Sequence, residues 1–403
     1  MTRDALKRVL AALAGESIAE WQGAESRIAA DHEAVLRLLT ERPDLPVYGF
    51  STLLGHLDDV DGRDSSRDLL RAHLLGPLTV LEGDVLRLIS ACKAEQLSHG
   101  GSGVSPDAYR VVRAAATETG PAAEGSWTTS YGSGDVVPAA WWMATLLGRS
   151  GLDPERPGEV IALINGTFVS TAATILAGAR LADAAGRLLS ALDAASGATL
   201  KAFPDGRQRP VSLRDPEPVV AAVTSALADL GAAADRRLAG PSANPLFEVE
   251  GAQARPRSQS SFLDYRATWA LTAATQATLL AIGAAQRIAE HVTRSRLAES
   301  PDPALVQPPK VLQAILERAL VVGGALPGRF SGADSDGVED LRDLSLISAL
   351  RLLDLVADLE QALPVLAALG IPVGADPRPT QAFLGDQSDP ASLIPLAGRR
   401  WTP

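Results

Sequence analysis

Side chains able to do chemistry gather in turn-rich loops. Residues 43–62 carry Tyr48 among Pro43, Pro46, Gly49, Gly55 and Gly62. Residues 98–106 read Ser-His-Gly-Gly-Ser-Gly-Val-Ser-Pro, and residues 125–138 set Ser133 between Gly132 and Gly134, with Asp135 next. Residues 201–218, which hold Gln208 and Arg214, and residues 240–258 are also rich in turn formers. Loops of this kind on a rigid scaffold are where sites sit. Each group also has a local reading. Tyr48 can anchor its loop with the hydroxyl in water. Gly132-Ser133-Gly134 can be a plain turn before a helix that starts near Pro138. Asn165, ahead of an apolar run, can be a helix N-cap. Arg214 can pair with Asp215 or Glu217. Glu339 can be a first-turn acid favoured by the helix dipole, and His73 a satisfied helix histidine. Other chemistries have little to work with. Cys92 is the only cysteine, which rules out an intramolecular disulfide framework and a multi-cysteine zinc site. The five histidines show no HxxxH spacing, which argues against a metal enzyme.

The elements that must position these groups read as helices almost throughout. Alanine and leucine dominate, and alternating strand patterns are few. Of the 403 residues, 46% are hydrophobic and 21% charged, an ordinary globular balance that excludes disorder as the main state. The formal charge of −11 argues against a nucleic-acid binder, which needs a basic footprint. The first residues have no long apolar run behind them, so no secretory signal is expected and a cytoplasmic location is. Between Arg266 and Arg287 there is no charge, a length that could span a bilayer. Its threonines and alanines argue instead for a helix buried among helices, so no membrane role is expected. The clearest helix lies between Pro256 and Pro301. A second comes after Asp336, with Leu346, Leu350, Leu353 and Ala357 on one face, Ser348, Arg351, Asp354 and Asp358 on the other, and Pro364 as its end. Helices this long need a large partner surface, so the expected fold class is all-α, a bundle of long helices. Residues 1–180 would carry the functional loops and residues 181–403 the long-helix bundle and a C-terminal helical region, in one continuous unit.

Several segments, in order, resemble one family. Gly132-Ser133-Gly134-Asp135-Val136-Val137-Pro138 resembles the Ala-Ser-Gly-Asp-Leu-Ala-Pro loop of the histidine/phenylalanine ammonia-lyases. Val47-Tyr48-Gly49-Phe50-Ser51-Thr52 is similar to that family's Tyr-Gly-x-x-Thr loop. Leu69-Leu70-Arg71-Ala72-His73-Leu74-Leu75-Gly76 resembles its substrate-contacting helix, and Ser98 to Val104 its Gly-x-Ser-Gly-Val turn. Ala162-Leu163-Ile164-Asn165-Gly166-Thr167 is similar to its Leu-Leu-Asn-Gly-Thr. Gln208-Arg209-Pro210-Val211-Ser212-Leu213-Arg214 resembles Gln-Asp-x-Tyr-Ser-Leu-Arg, although Gly206-Arg207-Gln208 also fits an upstream glycine-glutamine turn. Ser242-Ala243-Asn244-Pro245-Leu246 resembles Asp-Asn-Pro-Leu, Phe262 the phenylalanine of Asn-Phe-His-Gly, and Glu339-Asp340 the start of Glu-Asp-His.

The resemblance implies the ammonia-lyase fold, with central helices of the fumarase/aspartase type, and a prosthetic group made from the chain itself. Gly132, Ser133 and Gly134 would cyclise, with loss of two waters, into an electrophilic methylidene-imidazolone, with no metal. The substrate's amine would add to it and become a leaving group, a form of covalent catalysis. Tyr48 would take the β-proton. Its phenol has an ordinary pKa near ~10, so it would need donors nearby. Arg214 would hold the substrate carboxylate as a bidentate pair. Asn165 and Gln208 would hydrogen-bond the prosthetic group and substrate, Glu339 would be a polar or acid–base partner, and Phe262 would pack beside the ring. Ala72 and His73 would read the substrate side chain, as in the histidine enzymes. The implied activity is ammonia elimination from histidine or an aromatic or related amino acid; an aminomutase and a non-catalytic homologue are the alternatives. The implied assembly is a homotetramer with shared sites, Tyr48 and Ser133 coming from different chains. The sequence departs from the family at several points. Gly132 replaces an alanine, Val211 a tyrosine, and Leu263 and Leu341 two histidines. Residues 215–218 do not reproduce Cys-x-Pro-Gln. The chain is also shorter than expected, between Gly134 and Arg214 and after Pro364.

Overall fold

The computed structural model describes residues 3–62, 66–202, 211–324, 331–334, 339–385, 389–396 and 398–401. Fourteen α-helices lie among the described residues. They are α1 (Asp4–Leu13), α2 (Ala19–Gly23), α3 (Glu25–Glu41), α4 (Ser66–His73), α5 (Gly83–Ser98), α6 (Pro106–Thr117) and α7 (Val136–Leu146), then α8 (Glu159–Ile164), α9 (Phe168–Ala202), α10 (Glu217–Leu238), α11 (Tyr265–Glu299), α12 (Gln307–Gly323), α13 (Ser345–Ala368) and α14 (Arg378–Leu384). Three small antiparallel ribbons join them. β1 (Thr79–Leu81) pairs with β2 (Ala123–Gly125), β3 (Leu246–Glu250) with β4 (Gln253–Arg257), and β5 (Ser331–Asp334) with β6 (Glu339–Leu341).

The core is a bundle in which α9, α10, α11 and α13 pack along one another, with α12 against α11 and α13. α9 is apolar nearly all round, the pattern of a helix surrounded by others. Phe168, Val169, Ile175, Leu176, Leu181, Leu188 and Leu189 are all fully buried. The helical run 159–196 is long and apolar enough to cross a membrane, but its apolar window lies wholly inside the bundle. α11 is one helix of 35 residues, and Gly283 does not interrupt it. Ala267, Leu271, Ala274, Thr278, Ile282 and Ala285, spaced by three and four, form its buried stripe.

α13 departs from its sequence reading twice. Ser348 and Asp358, expected on a solvent side, are buried, because α13 has partners on three sides in α9, α11 and α12. Pro364 lies inside the helix and does not end it. Proline removes one ladder hydrogen bond, but the next turn buries Leu366 and the end of the helix buries Leu369, and that burial offsets the loss. Residue 180, the division expected from sequence, falls inside α9 and marks no break in the chain. Glu339 stands in β6, not in the first turn of a helix. Away from the long bundle, the short helices α4, α7 and α8 pack on one another and bring their adjoining loops together.

Candidate active site

Around those loops lies a cavity of about 940 Å3, at the upper end of the range for small-molecule pockets. Six of the residues singled out in the sequence line it: Tyr48, Ala72, His73, Ser133, Asn165 and Phe262. Tyr48 comes from the loop after α3, Ala72 and His73 from the last turn of α4, and Ser133 from the loop before α7. Asn165 comes directly after α8, and Phe262 after β4. Tyr48 and Ser133 therefore share one cavity of a single chain, which corrects the expectation that they come from different chains.

The tripeptide loop is held from both ends. Gly132 has φ +83°, its N–H donates to Ser130 Oγ (3.1 Å), and its carbonyl accepts from the Asp343 N–H (2.7 Å). A Cβ at 132 would stand 2.8 Å from Arg342 Cβ, so the alanine found in the family does not fit here and glycine does. Gly134 has φ +107°, and its carbonyl accepts from Ser130 Oγ (3.3 Å). Asp135, next in the chain, donates its N–H to the Gly166 carbonyl (2.9 Å) and accepts the Ser170 N–H on Oδ2 (2.7 Å). Burial pushes the Asp135 carboxyl up to about 6, against the pull of the Ser170 hydrogen bonds.

Three buried polar atoms of the cavity residues have no hydrogen-bond partner among the described residues. They are Ser133 Oγ, Asn165 Oδ1 and Gln259 Nε2. The other atoms of these groups are engaged. Asn165 Nδ2 donates to the Asn244 carbonyl (3.0 Å), and Gln259 Oε1 accepts the Ser261 N–H (2.6 Å). Both amides are thereby oriented with one free end. Asn165 is the C-cap of α8, not the N-cap of the next helix. Its carbonyl accepts from Lys93 Nζ (2.8 Å), a wholly buried amine 4.7 Å from the Phe168 ring centre. Burial lowers the Lys93 pKa to about 7. The Tyr48 hydroxyl accepts the Gly55 N–H (3.1 Å), the kind of donor a phenolic base would need. His73 Nδ1 lies 2.8 Å from the Leu69 carbonyl. A carbonyl only accepts, so Nδ1 carries the proton and Nε2 of the neutral ring is an acceptor.

The remaining sequence candidates lie elsewhere. Val211 and Arg214 border the N-terminus of α10, outside the cavity lining, with Val211 74% exposed. Gln208 lies outside the described residues, as does the side chain of Glu339. Leu341, two residues on, does reach the cavity, and so does Leu263. The two positions where the family's histidines are replaced thus both make this pocket more apolar. Sequence reasoning missed Gln259 and Lys93. Gln259 sits in the polar run Ser258-Gln259-Ser260-Ser261 beside Phe262, a signal that was readable. Lys93 lies in an otherwise ordinary helix and gives none.

The family model described as aromatic amino acid lyase matches residues 1–156, the stretch that holds Tyr48, His73 and Ser133. The fold is similar to that of the tyrosine aminomutase from Streptomyces globisporus, at 18% identity and TM-score 0.69, covering 98% of this chain and 94% of that one. It is similar to the Pantoea agglomerans phenylalanine aminomutase, at 13% identity and TM-score 0.73, with 98% and 96% covered. It is also similar to the histidine ammonia-lyase from Trypanosoma cruzi, at 17% identity and TM-score 0.73, with 98% and 91% covered. The family model thus matches residues 1–156, and the helical fold of these ammonia-lyases and aminomutases is shared over nearly the whole length of the chain.

Proposed function

We propose that this chain is an ammonia-lyase acting on an aromatic or histidine-like amino acid, with a methylidene-imidazolone built from Gly132, Ser133 and Gly134. The observation that carries the reading is the pair of unpartnered buried oxygens, Ser133 Oγ and Asn165 Oδ1, on residues that line one cavity. A buried hydroxyl without a partner costs about 1–3 kcal/mol. That cost is relieved if the hydroxyl is the one eliminated. In the closure, the Gly134 nitrogen bonds to the Gly132 carbonyl carbon. The Gly132 oxygen leaves as water with the amide protons of Ser133 and Gly134. The Ser133 hydroxyl leaves as a second water with the Cα proton. The glycines flanking Ser133 let the backbone fold that tightly. Once formed, the group supplies an electrophilic alkene that activates an amine for departure.

The chain's own residues do the rest. Tyr48 removes the β-proton, with the Gly55 N–H on its oxygen. The free end of Asn165 hydrogen-bonds the prosthetic group or the substrate, and Phe262 packs beside the ring. Ala72 and His73 meet the substrate side chain, His73 offering its Nε2 lone pair to a donor such as an imidazole N–H or a phenol. Leu263 and Leu341 favour a larger apolar ring over a bare imidazole. Arg214 holds the carboxylate of a substrate bound in the cavity of a second copy, within a homotetramer, and Val211 belongs to that shared wall. Ammonia leaves and an α,β-unsaturated acid remains.

The test is an intact mass. The wild-type chain should be lighter than its sequence by two waters, and Ser133→Ala should show the full mass and no activity. A wild-type chain of unreduced mass overturns the reading. Release of a β-amino acid, with the mass loss present, would assign the aminomutase reaction instead.

A further inference from the structure

Behind the tripeptide loop lies a buried charge network that the reaction itself does not use. Arg237, in the last turn of α10, and Asp343, just before α13, form an ion pair whose side chains are 3% and 5% exposed. Arg237 Nη2 donates to Asp343 Oδ2, and Arg237 Nη1 donates to Ser170 Oγ (3.0 Å). Asp343 Oδ1 accepts from Thr268 Oγ1 (3.1 Å) and from the Ser345 N–H (2.8 Å). Asp264 also stands 3.6 Å from the guanidinium. Removing two charges from water is costly, so a buried pair is weak evidence of a stabilising role.

The network ends on both flanks of the tripeptide. On one side, the Asp343 N–H donates to the Gly132 carbonyl, the group that is attacked on closure. On the other, Ser170 holds the carboxylate of Asp135, the residue directly after Gly134. A single guanidinium fork therefore ties the acceptor end of the loop to its nucleophile end, through α9, α10 and the segment before α13. An N–H on the Gly132 oxygen also draws electron density from its carbon.

We propose that Arg237 and Asp343 are positioning residues for maturation: they hold Gly132 and Gly134 at closing distance so that the loop can cyclise. The proposal rests on the prosthetic-group reading. It predicts that breaking the network slows loss of the two waters without unfolding the bundle, because a small misplacement of reacting atoms costs about 100-fold in rate.

The experiment tracks intact mass over time in freshly folded wild type, Asp343→Asn, Ser170→Ala and Arg237→Lys, with melting temperature as the check on folding. Asp343→Asn keeps the backbone N–H but loses the charge. Ser170→Ala cuts one link and leaves the ion pair, so it decides the matter if Asp343→Asn fails to fold. Arg237→Lys keeps the charge but has no fork to reach both partners. The expected result is a folded but mostly uncyclised population for Asp343→Asn, with slower closure in Ser170→Ala and Arg237→Lys. Cyclised fraction among folded chains is a readout that a merely stabilising role would not move. If the wild type cyclises and the folded variants keep pace with it, the clamp is overturned alone. If the wild type never loses the two waters, both readings fall together.

Discussion

The residues that decide the chemistry are held by very local constraints. Gly132 is one case. Its positive φ and the nearby Arg342 Cβ leave no room for a methyl group. Gly132→Ala should therefore cost about 1–3 kcal/mol in urea unfolding, the range for overpacking and left-handed strain, even though the family carries alanine there. Lys93 is another. Its folded pKa is about 7 against an ordinary 10.5, and burial is the cause. Between those values the unfolded chain holds a proton that the folded chain has released, so stability rises with pH across that window and the burial penalty is complete below it. Lys93→Met should flatten the rise of melting temperature between about pH 8 and pH 10. An unchanged slope would mean that the amine titrates normally. Part of this was legible in sequence. Tyr48, Ser133 and Asn165 stand in motifs whose residue types are set by chemistry, so they could be named. Lys93 and Gln259 act through burial and orientation, which only the fold supplies.

At the scale of elements, periodicity carried the long helices and misled where packing overrode it. The uncharged stretch of α11 gave that helix away, and its stripe is the one that three-and-four spacing predicts. α13 was harder, because a helix packed on three sides has no solvent face for polar residues to mark. Asp358 shows the consequence. It is fully buried, and its carboxylate lies 2.9 Å from Arg318 on α12, whose side chain is 55% exposed. Burial pushes the Asp358 carboxyl up and Arg318 pulls it back. Removing the arginine leaves the buried carboxylate alone, and with Arg318 itself half in solvent Arg318→Leu should destabilise the α12–α13 packing by about 1 kcal/mol. Asp358→Leu on top of it should recover most of that loss, because it removes the buried carboxylate that was left without a partner. Chemical denaturation of the two single variants and the double variant closes the cycle. Additive losses would show that the two residues are not coupled. Glu339 taught the complementary lesson: its acid at an apparent helix start suited a first-turn position, but the chain forms a β-ribbon there first.

For the whole molecule, the proposed reaction requires a cation for the substrate's carboxylate. Among the described residues, no Lys or Arg side chain lines the cavity, and Arg214 stands outside it beside a 74% exposed valine. One exposed apolar side chain is ordinary, but a contiguous exposed apolar patch marks an interaction surface. The outer faces of α11, α12 and α13 carry more, with Trp269 63% and Val321 82% exposed and Ile347 alongside. A closed homo-oligomer would cover these faces and carry Arg214 of one copy to the cavity of another. The resemblance implied an assembly in which Tyr48 and Ser133 come from different copies, whereas both line one cavity of a single chain, since loop order along a chain does not say which loops meet. Complementation separates the alternatives. Ser133→Ala and Arg214→Ala chains should each be inactive alone. Co-expressed, they should form mixed assemblies in which about one quarter of the sites draw both groups from intact copies, and activity should return to about that fraction. The same fraction would be absent if both groups served one chain's own cavity, because every chain in the mixture lacks one of them. Val321→Asp, outside the cavity lining, should break the assembly and abolish activity together, with light scattering reporting the loss of mass and a preserved helical signal showing that the chain still folds.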